Sequence, residues 1–217
     1  KLMQNCGTAV YGTNYYLYRL VTEACAIVDA PQSFVQSVIK NLTDLYKMGE
    51  GPDFWGGYGA SADDLGAFLT ALAPYADDYK TYIDDAVELL EKNVSDAGYT
   101  SWGSANADST AMALMAYSAL DDQEKADKAY DLLCKFESKT TGVFTYDGEE
   151  NALATKDALT ALGYYTDHLI GRIVIDPDDP TEPTTKKNAE KTTANKSTKE
   201  TTKKSTSKKS PATGNNA

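Results

Sequence analysis

Aromatic rings set among glycines are the residues of this chain best suited to holding a ligand. They fall in three loops, Phe54-Trp55-Gly-Gly-Tyr58-Gly59, Gly98-Tyr99-Thr-Ser-Trp102-Gly103 and Gly142-Val-Phe144-Thr-Tyr146-Asp-Gly148. Flat rings beside glycine make platforms for sugars, apolar rings or peptide, which makes Trp55, Tyr58, Tyr99, Trp102, Phe144 and Tyr146 the binding candidates. The bland alternative is that each ring packs the ends of helices together, since large aromatics are core residues first. Asp63 and Asp108 complete the candidate set; each could face a ligand or simply favour a helix N-terminus. Other chemistries lack their parts. Asp108-Ser109-Thr110 has no histidine base beside it, so it reads as a helix start rather than a nucleophile. The single histidine, His168, has no Cys-His spacing around it to suggest zinc. Cys6, Cys25 and Cys134 are odd in number and widely spaced, which signals no disulfide framework; Cys25 and Cys134 read as small buried apolar residues of helices. No cofactor or metal is implied.

The candidates are positioned by a repeat. Ser61, Asn106 and Asn151 each open a related stretch, 45 positions apart, of which Asn106-Ala-Asp-Ser-Thr-Ala-Met-Ala-Leu-Met-Ala-Tyr117 is the fullest copy. Leu65, Phe68, Leu69 and Leu72 in the first copy match Thr110, Ala113, Leu114 and Tyr117 in the second, and Thr155, Ala158, Leu159 and Leu162 in the third. That spacing is one stripe of an α-helix, and a fixed period of this length marks a helical repeat array. A second text recurs between these helices: Ala86-Val-Glu-Leu-Leu-Glu-Lys92 against Ala129-Tyr-Asp-Leu-Leu-Cys-Lys135. The repeated unit is therefore a helical hairpin. Counted along the chain, the fifth helix, from Asn106, is apolar nearly all round, whereas the fourth, with Ala86 to Lys92, and the sixth, with Ala129 to Lys135, have a wet face, so odd helices belong inside and even ones outside. Two further helices precede the first copy. One carries Leu17, Leu20, Val21 and Ala24 and ends near Asp29; the other runs from Pro31 with Val35, Val38, Ile39, Leu42, Leu45 and Tyr46 as its stripe. Helix seven, from Asn151 to about Leu169, has no partner helix after it, and nothing caps the first hairpin; the expectation is that repeats are missing upstream.

The fold class expected is all-α: helical hairpins of about 45 residues forming part of an α/α-toroid, followed by a disordered tail. The loop Gly98 to Gly103 followed by Ala107-Asp-Ser-Thr-Ala-x-Ala-Leu114, with its two weaker copies, resembles the α/α-toroids of the terpenoid-cyclase and protein-prenyltransferase class. That resemblance implies inner and outer helix layers over roughly residues 12–169, and it is specific for architecture rather than activity. The chemistry of the class does not carry over. Asp176-Pro-Asp-Asp179 spells the cyclase acid motif, but it lies beyond the last helix between prolines, where carboxylates stay solvated and ionised. Asn5-Cys6-Gly7-Thr8 shares only two letters with the thioester motif of related toroids and lacks its glutamine. A cyclase or transferase whose catalytic half lies upstream is the enzymatic alternative, and a structural stalk is another.

Composition divides the chain. Residues 1–175 carry 12 Lys+Arg against 26 Asp+Glu, while 176–217 carry 9 against 6. So acidic a body repels a nucleic-acid backbone, which argues against nucleic-acid binding. From Asp176 the text turns to Pro, Thr, Lys and Ser with no aromatic residue, too little to offset chain entropy, so disorder is expected. Ser210-Pro211-Ala212-Thr213-Gly214 resembles the sortase sorting motif of Gram-positive surface proteins, with Ser210 where leucine is usual. That resemblance implies cleavage after Thr213 by sortase, attachment to peptidoglycan and an extracellular, wall-anchored location. The expected organisation is a repeat domain over 1–172, a wall-spanning linker over 173–209 and a sorting region over 210–217. A tether over 176–213 would span roughly 35 Å as a coil and over about 100 Å drawn out. The function expected is a non-catalytic surface domain that binds a small molecule, glycan or protein at its aromatic loop end.

Overall fold

A computed structural model describes residues 15–54, 59–175 and 183–185. Among these, seven α-helices form in the expected order: α1 (Tyr15–Ile27), α2 (Gln32–Asp44), α3 (Ala62–Leu72), α4 (Lys80–Glu91), α5 (Ala107–Ala119), α6 (Gln123–Leu133) and α7 (Ala152–Arg172). The chain is mostly helical with a few small sheets. Leu45 and Tyr46, placed by their spacing on the second helix, lie beyond it. Leu45 caps α2, and Tyr46 starts a strand, where its hydroxyl donates to Asp85 Oδ2 at 2.6 Å. Tyr46 also stacks on Phe68 with ring centres 4.5 Å apart. Helical periodicity is blind to that choice, because an aromatic residue suits either position.

The odd helices form a continuous row, with α3 against α1, α5 against α3 and α7 against α5; α2, α4 and α6 pack on α1, α3 and α5. Helix α5 is buried from Ser109 through Ser118 without interruption, as its apolar circumference requires. Gly66 of α3 lies close against it, where a Cβ would sit 2.7 Å from the Met112 carbonyl oxygen. Helices α2 and α4 instead bury single stripes, Val35, Val38, Ile39 and Leu42 in one, Ile83, Ala86 and Leu90 in the other. Polar side chains cross the interior of the row. Arg19 of α1 donates from Nη1 to Met115 Sδ, and Glu23 of α1 accepts a hydrogen bond from the Tyr164 hydroxyl of α7.

Two of the three glycine and aromatic segments, expected as loops, lie in short antiparallel ribbons; of the first, only Phe54 and Gly59 are among the described residues. The ribbons are β1 (Tyr46–Lys47) with β2 (Gly51–Pro52), just ahead of that first segment; β3 (Val94–Ser95), β4 (Gly98–Ser101) and β5 (Ser104–Ala105) as one sheet; and β6 (Thr145–Tyr146) with β7 (Glu149–Glu150). A fourth pair, β8 (Ile173–Ile175) and β9 (Pro183–Thr185), follows α7. Ladders of two to four residues carry too little alternation to be visible in a sequence pattern. Strand β4 touches α3 and α5, and β6 touches α5 and α7, so these ribbons sit over successive junctions of the inner row.

The ribbons before α5 and α7 are fastened to the helices they precede. Asn106 caps α5, its Oδ1 accepting from Ser109 N–H, and Asn151 does the same for Ala154 at the start of α7. One turn on, Thr110 Oγ1 accepts the Tyr99 N–H at 3.0 Å and donates to the Asn106 carbonyl; Thr155 makes the same two bonds with Phe144 and Asn151. In the first copy Leu65 replaces the threonine, and a capping box between Ser61 and Asp64 holds the helix start. Cys134, expected to be buried, is exposed in a 3-10 turn after α6, whereas Cys25 is buried. The helical stripe of α6 ends one residue before Cys134, which is why the periodicity misplaced it.

Candidate functional site

The 45-residue period aligns the ribbon residues as well as the helices. Phe54, Tyr99 and Phe144 are equivalent, and all three are buried. Tyr99 is further held by Glu91, which accepts from its hydroxyl at 2.9 Å and from the Tyr117 hydroxyl at 2.6 Å, with Lys128 Nζ at 3.2 Å. Burial alone would raise the Glu91 carboxyl, but those donors outweigh it and hold it below its ordinary value. Tyr99 and Phe144 are thus pillars under the ribbons and present no ring to a ligand; for these two candidates the core reading is the correct one. Trp55, Tyr58 and the whole of Ser210 to Gly214 lie outside the described residues, as do Cys6 and Asp176 to Asp179.

Trp102 and Tyr146 are the candidates that face solvent, with 69% and 43% of their surface exposed. Trp102 and Gly103 form the two-residue turn between Ser101 and Ser104, with φ of +57° and +92°; Asp147 and Gly148 form the equivalent turn between Tyr146 and Glu149, with φ of +52° and +82°. Such hairpin turns need positive φ at both positions, which is why Asn, Asp or Gly normally stand first. Asp147 obeys that rule, and the residue one period before Trp102 is Gly57. A tryptophan in the left-handed region is a bulky outlier, with an energetic penalty of roughly 1–2 kcal/mol.

Below that turn lies an acidic cluster that ties the ribbons to the helix starts. Asp63, two residues past the Ser61 cap of α3, stands near the Ser101 and Ser109 hydroxyls of the next copy, which bond to each other at 2.8 Å. Its Oδ1 is sealed from solvent and receives no hydrogen bond. Burial pushes the Asp63 carboxyl up to about 6; the two hydroxyls partly counter this, while Asp64 and Asp108 add to it. Asp108 is the same residue one period later, where Tyr146 and Ala154 stand in place of the two serines. Its Oδ1 is also sealed and unbonded, and burial, followed by the charge of Asp157, raises its carboxyl against the opposing effect of Lys156. The third copy has Leu153 at this position. Ser101 was not singled out by sequence, and Ser109 only as part of a helix start; their approach to Asp63 joins two copies of the repeat.

No family model, curated protein or solved structure matches the chain. The functional reading therefore rests on geometry. Among the described residues no three His, Cys, Asp or Glu groups converge as a metal site, and no helix is long and apolar enough to cross a membrane. The arrangement offers an exposed indole on a two-residue turn, an exposed phenol on the next ribbon, and two half-buried carboxyls that each have one oxygen sealed from solvent. It can hold a flat or apolar face by stacking.

Proposed function

We propose that this chain is a non-catalytic binding module that takes the flat face of a sugar ring on Trp102, with Tyr146 of the next ribbon as the second platform. The observation that carries the reading is the conformation of Trp102. A large ring is kept in a backbone state that disfavours it, at a turn whose sister copy uses aspartate, and most of the ring faces solvent. Strain of this kind persists where the surrounding structure over-determines it and function draws on it. The ribbon clips through Thr110 and Thr155 supply that over-determination. The side chains crossing the inner row from Arg19 and Glu23 favour the ribbon end over the interior of the row as the place of binding.

The wider setting belongs to the same proposal. The 45-residue period and the alternation of inner and outer helices support an arc of an α/α-toroid, and the Thr, Lys and Ser tail ending in Pro211-Ala212-Thr213-Gly214 supports display on a Gram-positive wall through sortase and peptidoglycan. The test of binding is a glycan array probed with labelled protein alongside Trp102→Asn. The reading expects retention of a related set of glycans by the wild type and its loss in the variant. Equal retention by both would overturn it, as would an array on which nothing is retained. The test of anchoring is the mass of the protein released from its host's wall by muramidase, expected to end at Thr213 with peptidoglycan attached; an unmodified chain running past Gly214 would overturn it.

A further inference from the structure

The Trp102 turn stands on a polar junction that the sister turn at Asp147-Gly148 is built without. Ser101 closes the turn by pairing with Ser104, and it is itself buried, its hydroxyl bonded at 2.8 Å to that of fully buried Ser109 on α5. Asp63 of α3 stands against both hydroxyls, so the base of the turn is held between two inner helices. One period on, Tyr146 and Ala154 replace the two serines, and Asp147 replaces the tryptophan. The hydroxyl pair and the strained ring thus belong to the same copy.

This junction suits a neutral carboxyl better than an ionised one. Ser109 donates to Ser101, and the sealed Oδ1 of Asp63 receives no hydrogen bond. A protonated carboxyl brings no charge to desolvate and can donate to a hydroxyl oxygen, whereas a carboxylate there is an under-solvated anion. The charged groups facing it add to the cost: Asp64 beside it on α3 is fully buried, and Asp108 stands at the start of α5. The hydroxyls that β4 and α5 present, Ser101 and Ser109, counter this only in part.

We propose that Asp63 is a positioning residue for Trp102 that makes the platform sensitive to pH: neutral, it stays packed under Ser101 and keeps the turn seated; ionised, it draws in water and frees the turn. The inference rests on the reading of Trp102 as the binding platform. Opening the turn hydrates Asp63 and returns its carboxyl from about 6 toward 3.8, so the open form gains by at most roughly 150-fold as pH rises from about 4 to about 6, and by no more above that. A ligand that needs the seated turn binds in proportion to the seated fraction, so retention is strongest in acid.

The test is hydrogen exchange over Ser101 to Asn106 in the full chain from about pH 4 to about pH 8, with rates divided by those of the free peptide, beside the glycan array at about pH 5 and about pH 7. In the wild type the opening constant is expected to climb about 10- to 100-fold and then level off, and glycan retention to be weaker at the higher pH. Asp63→Asn should give a flat exchange profile and equal retention at both pH values. Asp108→Asn should keep the climb but level off at lower pH, because one opposing charge is gone. A flat wild-type profile, a climb that Asp63→Asn leaves unchanged, or wild-type retention that is equal at both pH values would each overturn the proposal. An array that retains nothing overturns the binding reading alone, and the exchange profile then decides whether Asp63 seats the turn.

Discussion

Replacing Asp63 by asparagine should make this protein more stable at neutral pH. In the folded chain the carboxyl is pushed from 3.8 to about 6. That is roughly a 150-fold gain in proton affinity, worth about 3 kcal/mol between the two ends of the titration. The sign follows from proton counting. Below about pH 4 the carboxyl is protonated folded and unfolded alike; between about pH 4 and 6 only the folded chain holds the proton, so stability falls as pH rises, and above about 6 the full penalty is present. The N-terminus of α3 favours the anion and offsets up to about 1 kcal/mol of this, which leaves about 1–3 kcal/mol. Asparagine keeps the shape and can bond the Ser101 and Ser109 hydroxyls without an ionised oxygen buried beside Asp64 and Asp108. Urea unfolding at a series of pH values reads the effect. Wild type should lose stability across the window while Asp63→Asn is flatter there, and the two should converge at the acid end. A variant less stable than wild type at pH 8, or a difference that does not change with pH, would refute the argument that a buried ionised carboxylate is the source of the penalty.

Glu91 should behave with the opposite sign. Because its carboxyl is held low by Tyr117, Tyr99 and Lys128, its contribution is present above the ordinary glutamate range and is lost as pH falls, so Glu91→Gln should destabilise by about 1–2 kcal/mol at pH 7 and by less in acid, measured in the same titration. Gly66→Ala should lose about 1–3 kcal/mol by thermal unfolding, since the new Cβ meets the Met112 backbone at 2.7 Å; the equivalent change Ala111→Gly relieves no such contact and should lose only about 1 kcal/mol through helix propensity. Thr110→Val leaves the buried Tyr99 N–H without its acceptor and should cost about 1–3 kcal/mol, with hydrogen exchange accelerating first at Tyr99 in β4.

The helices were legible because their burial is periodic: α3, α5 and α7 announce themselves through the stripes at Leu65, Thr110 and Thr155, and their caps through Ser61, Asn106 and Asn151. The ribbons were not, because two-residue ladders have no period and their turn chemistry hides in single residues. At the site, exposure divided candidates that sequence could only group. Tyr99 and Phe144 look like Trp102 and Tyr146 in composition, yet they stand at the inward-facing position shared with Phe54. Asp63 and Asp108 stand in the first turns of α3 and α5, but the Ser101 and Ser109 hydroxyls beside Asp63 arrive from the next copy, a contact that local sequence does not show. The same period would have revealed Trp102 as the exception, since it stands where Gly57 and Asp147 stand in the other copies.

The unfolding free energy of Trp102→Asn tests the central claim most directly. If the indole is kept for a ligand against the preference of its own backbone, asparagine should relax the turn and raise stability by about 1 kcal/mol, a melting temperature about 2–4 °C higher, while glycan retention disappears. A loss of stability of more than about 1 kcal/mol would show that the ring serves the fold, and would contradict the account.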